Sequence, residues 1–125
     1  MVEQSGDSVD PTSFQVAKQQ VDEAVVLTVS GEVDMLSSPQ LAEAIETARA
    51  TRPTALIVDL SKVNFLASAG MTVLVTAQAE VQPPTRFAVV ANGSATSRPI
   101  KLMGIDSVLS LYSSLDSALS SISGE

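Results

Sequence analysis

The 125-residue chain has no cysteine, no histidine and no tryptophan, and only one tyrosine and three phenylalanines. Without cysteine there can be no disulfide framework. Without cysteine or histidine there is no zinc or haem site of the usual kind, and no thiol or imidazole to act as nucleophile or base. Basic residues are scarce as well: seven stand against fourteen acidic ones, for a net charge of −7. They are Lys18, Arg49, Arg52, Lys62, Arg86, Arg98 and Lys101, scattered along the chain. Nothing here would track a phosphate backbone, and the few aromatics offer no stacking platform, which argues against nucleic-acid binding. No apolar run approaches the ~20 residues that span a bilayer. Met1 to Asp10 is acidic and polar, the reverse of a signal peptide. The expectation is a small acidic domain of the cytoplasm.

Apolar residues make up 45% of the chain, enough for one real core. Residues 1–12 read as a flexible acidic tail and 13–123 as the domain. Phe14, Val16 and Lys18 alternate with Gln15, Ala17 and Gln19, the pattern of a strand exposed on one face. A turn over Val21 to Ala24 leads to a more buried strand, Ala24 to Ser30. Gly31-Glu32-Val33-Asp34 breaks that pattern. A helix follows, started either by a Ser37/Gln40 capping box or by Ser38 with Pro39 at the first helical position, and carrying Leu41, Ala44, Ile45 and Ala48. Thr51-Arg52-Pro53 ends it.

Ala55 to Leu60 reads as a central strand covered on both faces, and Ser61 to Ala67 as a loop. Ala69 to Glu80 is a second helix, with Ser68 as its N-cap on local pattern alone. Pro83-Pro84 stops it. Phe87 to Ala91 is the next strand, closed by Asn92-Gly93. A short helix over Arg98 to Met103 ends at Gly104. Val108 to Tyr112 is the last strand, and Ser113 with Asp116 caps a terminal helix carrying Leu115, Ala118, Leu119 and Ile122. The order β-β-α-β-α-β-α-β-α implies an α/β fold: a mostly parallel sheet of four to five strands, an antiparallel N-terminal edge and about four covering helices.

Candidate chemistry is sparse. A serine nucleophile would need a lysine base, and no Ser-x-x-Lys motif exists. The phosphate-binding patterns Gly-x-x-x-x-Gly-Lys and Gly-x-Gly-x-x-Gly are absent. Glu32 and Asp34 could share a strand face, but so shallow a domain offers little cleft for a sugar. Asp34 with Asp59 makes a weak magnesium site. No enzyme activity, cofactor or metal is expected. Ala69 to Ala79 is more informative, because it carries no charge and only Thr72, Thr76 and Gln78 are clearly polar. One stripe must face the sheet, and Met71, Val75 or their neighbours are left for a partner.

Gly31-Glu32-Val33-Asp34, then Val58 through Met71 (VDLSKVNFLASAGM), then the Asn92-to-Gly104 segment resemble the STAS domain family, and among its members the stand-alone bacterial anti-anti-sigma factors. The resemblance covers about Phe14 to Ile122. It implies a binding module that engages an anti-sigma factor, often a serine kinase, and so frees the sigma factor. Phosphorylation of one serine by that kinase switches binding off, and a phosphatase reverses it. Ser68 falls on the phosphorylated position, Gly70 on the family glycine and Asp34 on the acidic residue of the preceding loop. Ala67 stands where many members carry aspartate, a departure that bears on the kinase more than on partner binding. The implied partner surface comprises Gly31, Glu32, Asp34, Asn64, Ala67, Ser68, Ala69, Gly70, Met71, Thr72 and Val75. The family also contains a small subunit of ABC-type lipid-transport complexes, which acts by protein contact only and is the alternative reading.

Overall fold

Two stretches rich in β-branched residues and leucine set the architecture. Val25 to Leu27 and Ala55 to Leu60 are almost wholly withdrawn from water, as expected of strands packed on both faces. They belong to strands β2 (Ala24–Val33) and β3 (Ala55–Leu66). In the computed structural model, which describes residues 13–123, these two pair in parallel at the centre of a five-stranded sheet ordered β1-β2-β3-β4-β5. The outer strands are β1 (Gln15–Val21), antiparallel to β2, then β4 (Arg86–Val90) and β5 (Leu111–Tyr112), both parallel. Helices α1 (Ser38–Arg49), α2 (Ser68–Glu80), α3 (Ser97–Leu102) and α4 (Leu115–Ser123) complete the expected order, and a 3-10 turn at Ile105–Ser107 is added. The tail assigned to residues 1–12 lies outside the described residues.

Strand order follows chain order, and this has a geometric result. Right-handed crossovers that always step in one direction deliver their helices to one face. The larger core accordingly joins Leu41, Ile45 and Ala48 of α1, Met71, Leu74 and Ala77 of α2, and Ile100 of α3 to Val25, Leu27, Leu56, Val58 and Val89. The opposite face, with Val26, Ile57, Ala88 and Val90, is covered by α4 through Ala118, Leu115, Leu119 and Ile122.

Several boundaries differ from the sequence reading. β2 runs three residues past Ser30, through Gly31, and β3 continues through the stretch read as the loop Ser61 to Ala67. Register shifts between Thr28 and Ser30 and between Gly31 and Glu32 carry the pairing on, and they break the alternation that would have marked a strand. β5 keeps only Leu111 and Tyr112, and Val108 is exposed. No capping box forms at α1. Its N-cap is Ser37, whose hydroxyl makes no cap bond, and Pro39 stands second in the helix rather than first. At α4 it is Ser114, not Ser113, whose hydroxyl accepts the Ser117 N–H, at 3.1 Å. Gly104 sits just past α3 in the left-handed conformation expected of it (φ 76°).

Gly31 shows how tightly the N-terminal edge is fitted. Its φ is +88°, and a Cβ there would lie 1.9 Å from the Ser13 carbonyl oxygen. Side-chain motion cannot relieve a clash with backbone. Gly31→Ala should therefore cost more than 2 kcal/mol, the sum of left-handed strain and overpacking. Urea unfolding monitored by circular dichroism measures this, and a midpoint equal to that of the parent would refute it.

Candidate functional site

The carboxyl ends of β2 and β3 carry the two loops that the sequence singled out. The first, between β2 and α1, is held by its own side chains. The Asp34 carboxylate oxygen Oδ1 accepts the N–H groups of Leu36 (3.0 Å) and Ser37 (2.9 Å). The Ser37 hydroxyl accepts the Asp34 N–H at 2.9 Å, and its single proton faces both the Glu32 carbonyl (2.9 Å) and Asp34 Oδ1 (3.1 Å). The Ser38 hydroxyl donates to the Asp34 carbonyl at 2.6 Å. Ser37 and Ser38 are buried. These bonds are local competitors of helix capping, which is why the Ser37 hydroxyl makes no cap bond to α1. They also hold the Asp34 carboxyl below the ordinary aspartate range, the Ser37 N–H being the largest cause.

The second loop is a single residue. Ala67 is the N-cap of α2, in extended conformation (φ −82°, ψ 167°), and its N–H donates to the Val33 carbonyl at 2.8 Å. Ser68 is thus the first helical residue, not the cap expected from local pattern. It is exposed, and its carbonyl accepts the Thr72 hydroxyl at 3.1 Å. Ser68 therefore does not serve as the cap of α2.

The sequence-predicted residues divide into two groups. Ser68 and Thr72 are exposed on α2, Asn64 is exposed on β3, and Glu32, Asp34, Ala67, Ala69 and Val75 are half-buried. Gly31, Gly70 and Met71 are buried, so they shape the site from beneath. A Cβ on Gly70 would lie 2.5 Å from Val33 Cγ1 and 2.8 Å from Leu66 Cδ1. The glycine is what lets the start of α2 sit on the ends of both strands. Met71, 8% exposed, belongs mainly to the core. Asp34 is committed to its own loop, and among the described residues no group of three or more acidic side chains gathers into a metal site.

Beside Ser68 lies an open groove of about 220 Å³, with Met71, Thr72 and Val75 on one wall and Met103 and Ile105 on the other. No charged residue lines it. Sequence reasoning missed Met103 and Ile105, and it missed the exposed Met35, Leu36, Phe65 and Leu102. The available signal was local: Met35 and Leu36 sit between polar residues with no helical or strand periodicity to bury them.

The STAS domain profile matches residues 15–118 of this chain. The chain belongs to the STAS domain family. The STAS domain is 40% identical over 114 residues to the anti-sigma-F factor antagonist RsfB of Mycobacterium tuberculosis, covering 91% of this chain and 93% of that protein. Its fold matches the crystal structure of an anti-sigma factor antagonist from Mycobacterium paratuberculosis with a TM-score of 0.85 and 42% identity, over 90% of this chain and 97% of that one. The Bacillus cell fate determinant SpoIIAA in its phosphorylated form, 19% identical with a TM-score of 0.63 over 88% of this chain and 99% of that one, shares the fold. Among the described residues no helix of this STAS domain is long and apolar enough to cross a membrane.

Two measurements probe this geometry. Gly70→Ala should destabilise the STAS domain by about 1–2 kcal/mol: overpacking against the stiff, buried Val33 outweighs the gain in helix propensity. Val33→Ala should offset that clash, so a double-mutant cycle by thermal denaturation should show favourable coupling. For Asp34, a depressed folded pKa contributes stability that is present above the unfolded value, about 3.9, and is lost as pH falls through the folded value. Asp34→Asn keeps an acceptor for the turn but removes the charge. Its stability deficit at pH 7 should shrink toward pH 3, and a constant deficit in denaturant titrations at the two pH values would contradict the assignment.

Proposed function

We propose that this STAS domain is an anti-sigma factor antagonist. It is not an enzyme. In its unmodified form it binds a cytoplasmic anti-sigma factor of the serine-kinase type through the face around the start of α2, and so releases the sigma factor. Phosphorylation of Ser68 by the partner switches binding off, and a phosphatase restores it. The observation that carries this reading is Ser68 itself: an exposed hydroxyl with no capping role, on the rim of an uncharged apolar groove. The relatives named as anti-sigma factor antagonists at 40% and 42% identity support it over the lipid-transport alternative.

The physics separates fold from binding. A phosphoryl group on Ser68 brings about −1.5 to −2 charges at neutral pH. It lands at the positive end of α2, whose first turn has no acidic residue and whose cap is a methyl group. The fold tolerates it. A partner surface fitted to a small neutral hydroxyl and an uncharged groove must instead make room for a bulky dianion and strip its water.

Opposite signs are therefore expected for the two readouts. Ser68→Asp should raise stability by about 0.3–1 kcal/mol, from the helix dipole. It should weaken binding to the anti-sigma-F factor of the same organism by about 3 kcal/mol, roughly a hundredfold. Ser68→Ala should bind like the parent and resist phosphorylation. Calorimetric titration of the parent, both variants and enzymatically phosphorylated protein decides the matter. Affinities within about threefold for phosphorylated and unmodified protein would remove the switch.

A further inference from the structure

The loop between β2 and α1 spends its polar groups in an unusual way. Asp34, Ser37 and Ser38 bind one another and the loop backbone, and two of the three are buried. What they hold in place is an apolar dipeptide in full contact with water: Met35 is 76% exposed and Leu36 84%. Neither side chain contributes to the core. A knot of hydrogen bonds that stiffens an exposed Met-Leu pair serves recognition, because a preorganised loop loses little entropy on binding. The 2.8 Å bond from the Ala67 N–H to the Val33 carbonyl fixes this loop to the start of α2. A partner seated over Ser68 is therefore within reach of it.

We propose that Met35 and Leu36 form a rigid apolar prong that enters an apolar pocket, rimmed by basic side chains, on the anti-sigma factor. This rests on the function proposed above and adds a contact separate from Ser68. The basic rim follows from charge. Residues 31–38 contain Glu32 and Asp34 and no base, on a chain of net charge −7. The same charge disfavours an anionic lipid surface as the occupant.

The test titrates the organism's anti-sigma-F factor into the parent protein, into the Met35→Ser/Leu36→Ser double variant and into Ser68→Asp. Because both side chains lie in solvent, the double variant should melt with the parent. It should bind about tenfold or more weakly, as loss of a central anchor does, and the parent's affinity should fall as salt rises from 50 to 300 mM. If the parent binds and the double variant binds equally well, the prong is overturned while the proposed function stands. If the parent does not bind at all, both fall. Salt-independent affinity would overturn the basic rim. Co-sedimentation of the parent with phosphatidylglycerol-containing vesicles, lost in the double variant, would assign the prong to a membrane and overturn a protein pocket.

Discussion

The parallel pairing of β2 with β3 is the contact on which everything else rests. It runs from Ala24 opposite Ala55 to Val33 opposite Leu66, through two register shifts. Its first half is buried on both faces and supplies most of the core. Its second half buries fewer side chains, Val33, Val63 and Leu66 among them, and it ends where both site loops begin. Parallel neighbours finish at the same edge of a sheet, so the loop after β2 and the start of α2 after β3 emerge side by side. One backbone hydrogen bond, from Ala67 to Val33, then ties them together. The site is thus a property of strand direction first and of side chains second.

The surface at that edge combines features that are individually costly. Large apolar side chains stand in water, buried hydroxyls are spent on a loop, and a helix begins with a methyl group where a capping oxygen would stabilise it by about 1 kcal/mol. Each choice is poor for folding and agrees with the proposed role of this edge as a surface that another protein covers. Gly70 belongs to the same pattern from beneath. It gives up helix propensity so that α2 can approach Val33 and Leu66, which sets the height of Ser68 above the sheet.

Much of the fold was legible because burial leaves a periodic trace. ALIVDL reads as a covered strand, and Leu41, Ile45 and Ala48 recur at the spacing of a helix face turned to a core. What misled was short-range polar chemistry, where several outcomes share one pattern. Ser37 followed by Gln40 reads as a capping box, yet Asp34 lies close enough in sequence to take Ser37 into a different knot. Ser68 before an apolar helix reads as a cap, yet the chain turns one residue sooner. The polar end of β3 reads as a loop because the register shifts against β2 break the alternation of its buried residues. The site residues came from family resemblance to the linear motif. The groove wall at Met103 and Ile105 did not, since it is built by a distant segment that only the folded sheet brings across.

One more consequence follows from a sheet whose strand order is its chain order. During synthesis β2, β3 and β4 leave the ribosome with α1 and α2 already in hand, so one face is covered as it forms. The other face waits for α4, the last helix. At about 5–20 residues per second, the stretch from Val90 to Ile122 takes roughly two to six seconds to synthesise, and Val26, Ile57, Ala88 and Val90 lack their cover for that interval. That interval is long compared with collapse. The nascent domain therefore passes through a half-dressed stage with an adhesive face.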